Sequence, residues 1–227
     1  SLVISGAGTV TSSDAYIGSA SSASNNTVVV TGSNSLWSNS GSFYVGYIGS
    51  SNALTVANGG SVVASAIEIA SQSGSSGTLN IGSFDGSDTA GAVLAPTITF
   101  GDGSGTINFN QSDFTALSGS ILGAGSINQL GTGTTILSGS NSYTGLTSIT
   151  RGTLVAAVTN ALGGSDVILG GGASTATLSL STNLTLSSLS DFDWGSNGVI
   201  ALAQGTHSLT LGGMTNSAGT NEGVNVF

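Results

Sequence analysis

The sequence predicts an all-β protein, a right-handed parallel β-helix of roughly eight or nine turns. Three observations carry that expectation. An apolar-x-apolar triplet recurs at Leu2-Val3-Ile4, Val28-Val29-Val30, Leu54-Thr55-Val56, Leu79-Asn80-Ile81 and Ile107-Asn108-Phe109, with openings 26, 26, 25 and 28 residues apart. Each unit holds further short apolar stretches that alternate with Ser and Thr, the period of a half-buried strand. The chain is rich in turn formers, with 37 Gly among 227 residues, yet 38% of it is hydrophobic, enough to fill a core.

The elements follow in order within a unit. The opening triplet is a first strand. A second apolar spot lies eight residues after three of the openings, at Val10, Leu36 and Val62. A third spot closes each unit, at Tyr16-Ile17-Gly18, Tyr44-Val45-Gly46, Ile67-Glu68-Ile69-Ala70, Ile98-Thr99-Phe100-Gly101 and Ile121-Leu122-Gly123. In a β-helix each strand pairs with its counterpart one turn away, so backbone polar groups are satisfied between turns and side chains alternate in and out. Inward positions then take Val, Ile, Leu and Phe, and outward positions need only be soluble. Corners need tight or left-handed backbone, which Asn58-Gly59-Gly60 and Gly170-Gly171-Gly172 supply at little cost.

One continuous solenoid is expected over 1–227, with repeats of about 26 residues over 1–134 and shorter, closer apolar spots over 135–227. No Pro-rich or charged linker divides the halves. With strands about 4.8 Å apart, the rod is roughly 40 Å long.

Charge narrows the function classes. Net charge is −9, Arg151 is the one Lys or Arg, and His207 is the one imidazole. Binding a phosphate backbone needs clustered cations, so no nucleic-acid partner is expected, nor an anionic membrane surface or membrane insertion. Without Cys, neither a disulfide framework nor a thiolate metal site is possible.

Candidate chemistry is sparse. Asp191-x-Asp193 places two carboxylates on one face of a strand, with Phe192 and Trp194 beside them to stack on a sugar, the raw material of a glycosidase. Asp85, Asp88 and Asp102, with Gly86 and Gly103, offer oxygen ligands for calcium but lack a known calcium-loop spacing. Trp37, Phe43, Tyr44 and Tyr47 are aromatic neighbours that suit either core packing or a sugar-binding strip. Glu68 alternates with Ile67 and Ile69 and should point outward. Solvent-facing acids, packed aromatics and a surface His207 are the favoured readings, with no catalytic, cofactor or metal residue and no enzyme activity expected.

The stretch Gly131–Ala157, GTGTTILSGSNSYTGLTSITRGTLVAA, resembles the passenger-associated transport repeat of bacterial autotransporters, the type V secretion family. The matching positions are Leu137-Ser138-Gly139, Asn141-Ser142-Tyr143-Thr144-Gly145, Thr147, Ile149 and Gly152-Thr153-Leu154. Upstream, Val30-Thr31-Gly32 through Asn58-Gly59-Gly60 is similar to a second repeat type of the same large passengers. The resemblance implies a secreted β-helical passenger on the outer surface of a Gram-negative-type bacterium. The expected role is a structural stalk or self-assembling fibre, with an adhesin for glycans or other cells as the alternative. Leu2-Val3-Ile4 and Val224-Asn225-Val226-Phe227 carry no polar cap. The expectation is therefore a piece of a longer precursor, or a homo-oligomer stacked head to tail.

Overall fold

The structure, a computed structural model, describes residues 1–83, 85–170, 174–191, 198–202, 207–212, 214–216 and 225–226. Asp193, Phe192, Trp194, Gly171, Gly172, Val224 and Phe227 lie outside the described residues, as does the side chain of Asp191. The described residues form strands and turns with no helix, and every named strand pair is parallel. The protein is a parallel β-helix.

Its backbone is a ten-stranded first-face sheet running from Leu2–Ile4 through Thr27–Thr31, Asn52–Ala57, Ser76–Ile81, Ser104–Phe109, Ser126–Gln129, Thr147–Ile149, Val167–Leu169 and Leu189–Asp191 to Met214–Asn216. Every apolar triplet read from the sequence is a strand of this sheet, in register: Leu2 faces Val28, Val28 faces Leu54, Leu54 faces Leu79, and Leu79 faces Ile107. Ile4, Val30, Val56 and Ile81 form one inward column, all buried. Burying such a side chain contributes about 1.5–3 kcal/mol. The outward column carries its own ladder, in which Asn108 Nδ2 donates to Asn80 Oδ1 and Asn128 Nδ2 to Asn108 Oδ1, each at 2.9 Å.

Ten strands exceed the number a 25-residue repeat predicts, because the turns shorten. Asn80 and Asn108 are 28 residues apart, whereas Asn108 and Asn128 are 20 apart. The register continues at that shorter step, Ile127 facing Thr147 and Thr147 facing Val167.

The second face holds a four-stranded sheet, Thr9–Ser12, Leu36–Asn39, Ser61–Val63 and Ala92–Leu94, and then a separate six-stranded sheet that starts at Phe114–Leu117. Its inward column runs Val10, Trp37, Val62, Val93. Trp37 therefore takes the place expected for Leu36. The corner that leads to Leu36–Asn39 is one residue longer than those of the turns just before and after it, with Asn34 at φ +66°, so a fixed spacing of eight residues points to the neighbouring residue while the column itself is kept. The third face holds a five-stranded sheet from Ala15–Ile17 through Ser42–Val45, Ala66–Ile69 and Thr97–Phe100 to Ser120–Leu122. Glu68 points outward as expected, between Ile67 and Ile69, which have no exposed surface.

The expectation that Val, Ile, Leu and Phe fill all inward positions needs correction where the turns shorten. Gln111, Gln129, Thr135, Thr147 and Ser165 are all buried there. Gln129 lies between Phe109 and Ile149 in the inward column, its Nε2 donating to the carbonyls of Gly131 and Gly133 at 3.0 and 3.3 Å. Gln111 Nε2 donates to Thr135 Oγ1 at 2.9 Å.

The inward column makes a direct prediction. Val56→Asp sets a carboxylate between Val30 and Ile81 with no partner, and should cost about 3 kcal/mol or more. Urea unfolding followed by circular dichroism reads the loss; an unchanged midpoint contradicts the register.

Candidate functional site

The outer surface is mostly Ser, Thr, Asn and Gly, so departures from that pattern are informative. The clearest is a tyrosine patch on the third face. Tyr16 and Tyr44 occupy matching outward positions of adjacent strands, with Glu68 next in the same column. Their rings stack with centroids 4.8 Å apart at 11°, the separation of neighbouring strands. Tyr47 arrives from just beyond the strand Ser42–Val45. Gly46 turns the chain at φ +78°, and the N–H groups of Gly46 and Tyr47 donate to the Ile17 carbonyl at 2.9 and 3.2 Å. The Tyr47 ring then meets Tyr16 and Tyr44 edge-on at 5.1 and 5.0 Å.

Tyr16 remains 49% exposed and Ile48, beyond Tyr47, is exposed as well. Asp14 stands beside the patch, its Oδ1 accepting the Ser42 N–H at 2.9 Å. Partial loss of solvation, then the Asp14 charge and the neighbouring phenols, hold the Tyr16 phenol above its ordinary value. Three of the four tyrosines in the chain gather here.

The structure thus divides the aromatic set read from the sequence. Tyr44 and Tyr47 lie outside. Trp37 and Phe43 lie in the core, edge-on at 4.8 Å, with Trp37 Nε1 donating to Ser12 Oγ at 3.0 Å. Sequence reading missed Tyr16, although the signal was present, since Tyr16 and Tyr44 open equivalent apolar spots.

Of the acids singled out earlier, Asp85, Asp88 and Asp102 do not converge, and Asp193 and the Asp191 side chain lie outside the described residues. Asp85 turns onto its own loop, accepting from Ser83 Oγ, Ser87 Oγ and the Ser87 N–H at 2.6, 2.8 and 3.1 Å, and these bonds, Ser83 first, lower its pKa to about 2. Asp85, Asp88 and Asp102 form no metal-sized cluster, nor do any three His, Cys, Asp or Glu among the described residues. Arg151 is exposed at a corner, and His207 is half-buried just before the strand Leu209–Leu211.

A shallow groove of about 310 Å³ lies where the second-face sheet breaks, lined by Ala90–Leu94 and Asp113–Ala116 with Gly59. Ala92–Leu94 and Phe114–Leu117 belong to different sheets there, and Leu94 and Phe114 are exposed. The ends of the break are tied: Ala90 N–H donates to Asp113 Oδ1 at 2.7 Å and Ser120 N–H to the Pro96 carbonyl at 2.9 Å.

The residues that carried the family resemblance are internal. In the turn after Ser120–Leu122 the third face has no strand, and the Asn141–Gly145 stretch takes its place; strands return later in the paired Leu184–Leu186 and Leu209–Leu211. Ser142 N–H donates to Ile121 O and Thr144 N–H to Gly123 O, both at 2.9 Å. Asn141 clamps three turns together, its Oδ1 accepting the Ile121 N–H at 2.8 Å and its Nδ2 donating to Ala161 O at 2.6 Å. Tyr143 is fully buried, its hydroxyl 2.6 Å from Thr147 Oγ1, which lies 2.9 Å from Ser165 Oγ. Burial pushes the Tyr143 phenol up to about 12, against the opposing effect of its hydrogen bonds.

Fold and surface together define a parallel β-helical solenoid, with a structural motif inside and a sparse, mostly neutral outside. The passenger-associated-transport-repeat family matches residues 127–156. The adhesin BmaC autotransporter of Brucella suis biovar 1 (strain 1330) is 52% identical over 66 residues, which are 29% of this chain and 2% of that protein. The chain thus spans a small fraction of the relative's length. No solved structure matches significantly. Residues 127–156 thus carry a passenger-associated transport repeat, and over 66 residues the chain is similar to an autotransporter adhesin.

The buried motif yields a graded prediction. Asn141→Ala strands two backbone groups and should cost at least about 2 kcal/mol, whereas Tyr143→Phe removes one hydroxyl and should cost about 1 kcal/mol. The phenol also fixes a pH window. It titrates at 10.0 when unfolded and at about 12 when folded, so between these values only the unfolded chain loses the proton. Its contribution is complete below pH 10.0 and lost toward pH 12. Melting curves across that range should fall less steeply in Tyr143→Phe than in the parent; identical slopes contradict the assignment.

Proposed function

We propose that this segment is a non-enzymatic, rod-like stalk of a cell-surface adhesin, displayed outside a Gram-negative-type bacterium. The observation that carries the reading is the ten-stranded first-face sheet, whose register continues across the change in turn length. Ten strands at about 4.8 Å give a stiff body roughly 45 Å long, held by backbone bonds along its axis. Such a body transmits force and sets distance. The similar Brucella protein is named an adhesin, which supports adhesion as the purpose of that distance.

Beads coated with the purified protein test the reading. They should adhere to cultured animal cells above beads coated with an inert protein of similar charge, and the protein should turn over no neutral or acidic polysaccharide. Background adhesion, or measurable turnover, overturns it.

A further inference from the structure

We propose that Tyr16, Tyr44 and Tyr47, with Asp14 and Glu68 beside them, form a binding site for neutral glycan chains. The inference rests on the adhesin reading and gives it a place and a ligand class.

The fold does not require these rings. Outward positions of a β-helix need only be soluble, and further along the same column they are Thr99 and Leu122. Aromatic pairs do stabilise one another, by about 0.5–1.5 kcal/mol beyond area burial. That gain requires ring contact, not exposure, yet Tyr16 stays 49% exposed. Tyrosine offers broad, rigid, amphipathic contact area with few rotatable bonds to freeze, which suits recognition. The strands beneath set the stack, and the turn at Gly46 sets Tyr47, so the platform is organised before any ligand arrives.

The chemistry selects the ligand. A pyranose presents an apolar C–H face, which packs on an aromatic ring, and a rim of hydroxyl donors, which carboxylates and phenols accept. Asp14 and Glu68 provide those acceptors at the flank of the rings. Acidic sugars are disfavoured, because both neighbours are anionic, the chain carries net charge −9, and the lone Arg151 lies on a distant turn. A quaternary ammonium is held by an aromatic cage, with several ring faces turned toward one cavity. Here Tyr16 and Tyr44 close on each other at 4.8 Å and Tyr47 packs against both, so the patch is a platform and not a cage.

The test is a glycan array probed with the purified protein. The array carries neutral gluco-, galacto-, manno- and N-acetylglucosamine oligosaccharides, their sialylated and uronate counterparts, and polylysine spots. Binding to at least one neutral series is expected, with weaker retention of its acidic counterparts. Calorimetry with the best neutral oligosaccharide should show Tyr16→Ala and Tyr47→Ser each weakening affinity about tenfold, the order expected for one lost stacking contact. Glu68→Gln should weaken it less, and Phe114→Ala on the second face should leave it unchanged. Circular dichroism melts confirm that each variant is folded. A blank array, preference for acidic glycans or polylysine, or folded Tyr16→Ala and Tyr47→Ser proteins of parental affinity overturn the proposal. The bead assay separates this site from the adhesin reading. Tyr16→Ala beads that adhere like the parent remove the site and leave adhesion, whereas parental protein that binds glycans but no cells keeps the site and removes adhesion.

Discussion

Backbone hydrogen bonding between successive turns is the constraint on which this protein depends. Each first-face strand is paired on both sides, except at the two ends of the sheet, so each turn inherits its register from the one before. Side chains two residues apart then face the same way, and equal register stacks like on like. Val30 lies between Ile4 and Val56 for that reason, and Asn108 between Asn80 and Asn128. The unusual composition follows. Charge is little needed for solubility when the outside is mostly hydroxyls and amides, and the inside is mostly apolar, with its few polar side chains hydrogen-bonded where the turns shorten. The ladder also limits change, because a residue added within a strand reverses every side chain after it, whereas one added at a corner is absorbed there.

The shortening of the turns shows how far that absorption extends. When the step falls from 28 to 20 residues, the first-face sheet passes through unbroken. The second face does not, and its sheet divides between Ala92–Leu94 and Phe114–Leu117. In the turn after Ser120–Leu122 the third face has no strand and uses Asn141–Gly145 in its place. An irregular segment inside a solenoid would strand backbone donors and acceptors, which cost about 1–3 kcal/mol each when buried and unpaired. Asn141 meets two of those demands with one amide, and Tyr143 fills the space a strand would occupy while its hydroxyl joins Thr147 and Ser165. The conspicuous sequence of the transport repeat is, in this light, the side-chain replacement for missing strand pairing.

Much of this was legible in the sequence, and the limits have physical causes. The first-face triplets were readable because alternation with a fixed period is the direct imprint of an in-register parallel sheet. Glu68 was readable for the same reason. Trp37 was misplaced by one residue because corner length, unlike strand alternation, leaves little trace in hydropathy. The buried Gln111, Gln129 and Thr147 were not anticipated, since a polar residue at an inward position reads as outward until its hydrogen-bond partners are known. The tyrosine patch was half legible. Tyr44 and Tyr47 are close in the chain, but Tyr16 joins them only across a turn, and Trp37 and Phe43, equally close in sequence, point the other way.

That last contrast bears on how such a protein carries function. Phe43 and Tyr44 are adjacent, yet one is fully buried against Trp37 and the other rests on Tyr16 outside. The inward residue is fixed by the columns above and below it, and changing it disturbs three turns. The outward residue touches only its surface neighbours, and its backbone is held whatever side chain it bears. Stability and recognition therefore occupy alternate residues of one strand and are nearly independent. A scaffold of this kind can place aromatic or charged groups at fixed spacing along its length without altering its core. The tyrosine cluster, with Tyr16 exposed and Tyr44 and Tyr47 half-buried on the outer face, is such a placement, because the core packing of the rod does not ask for it.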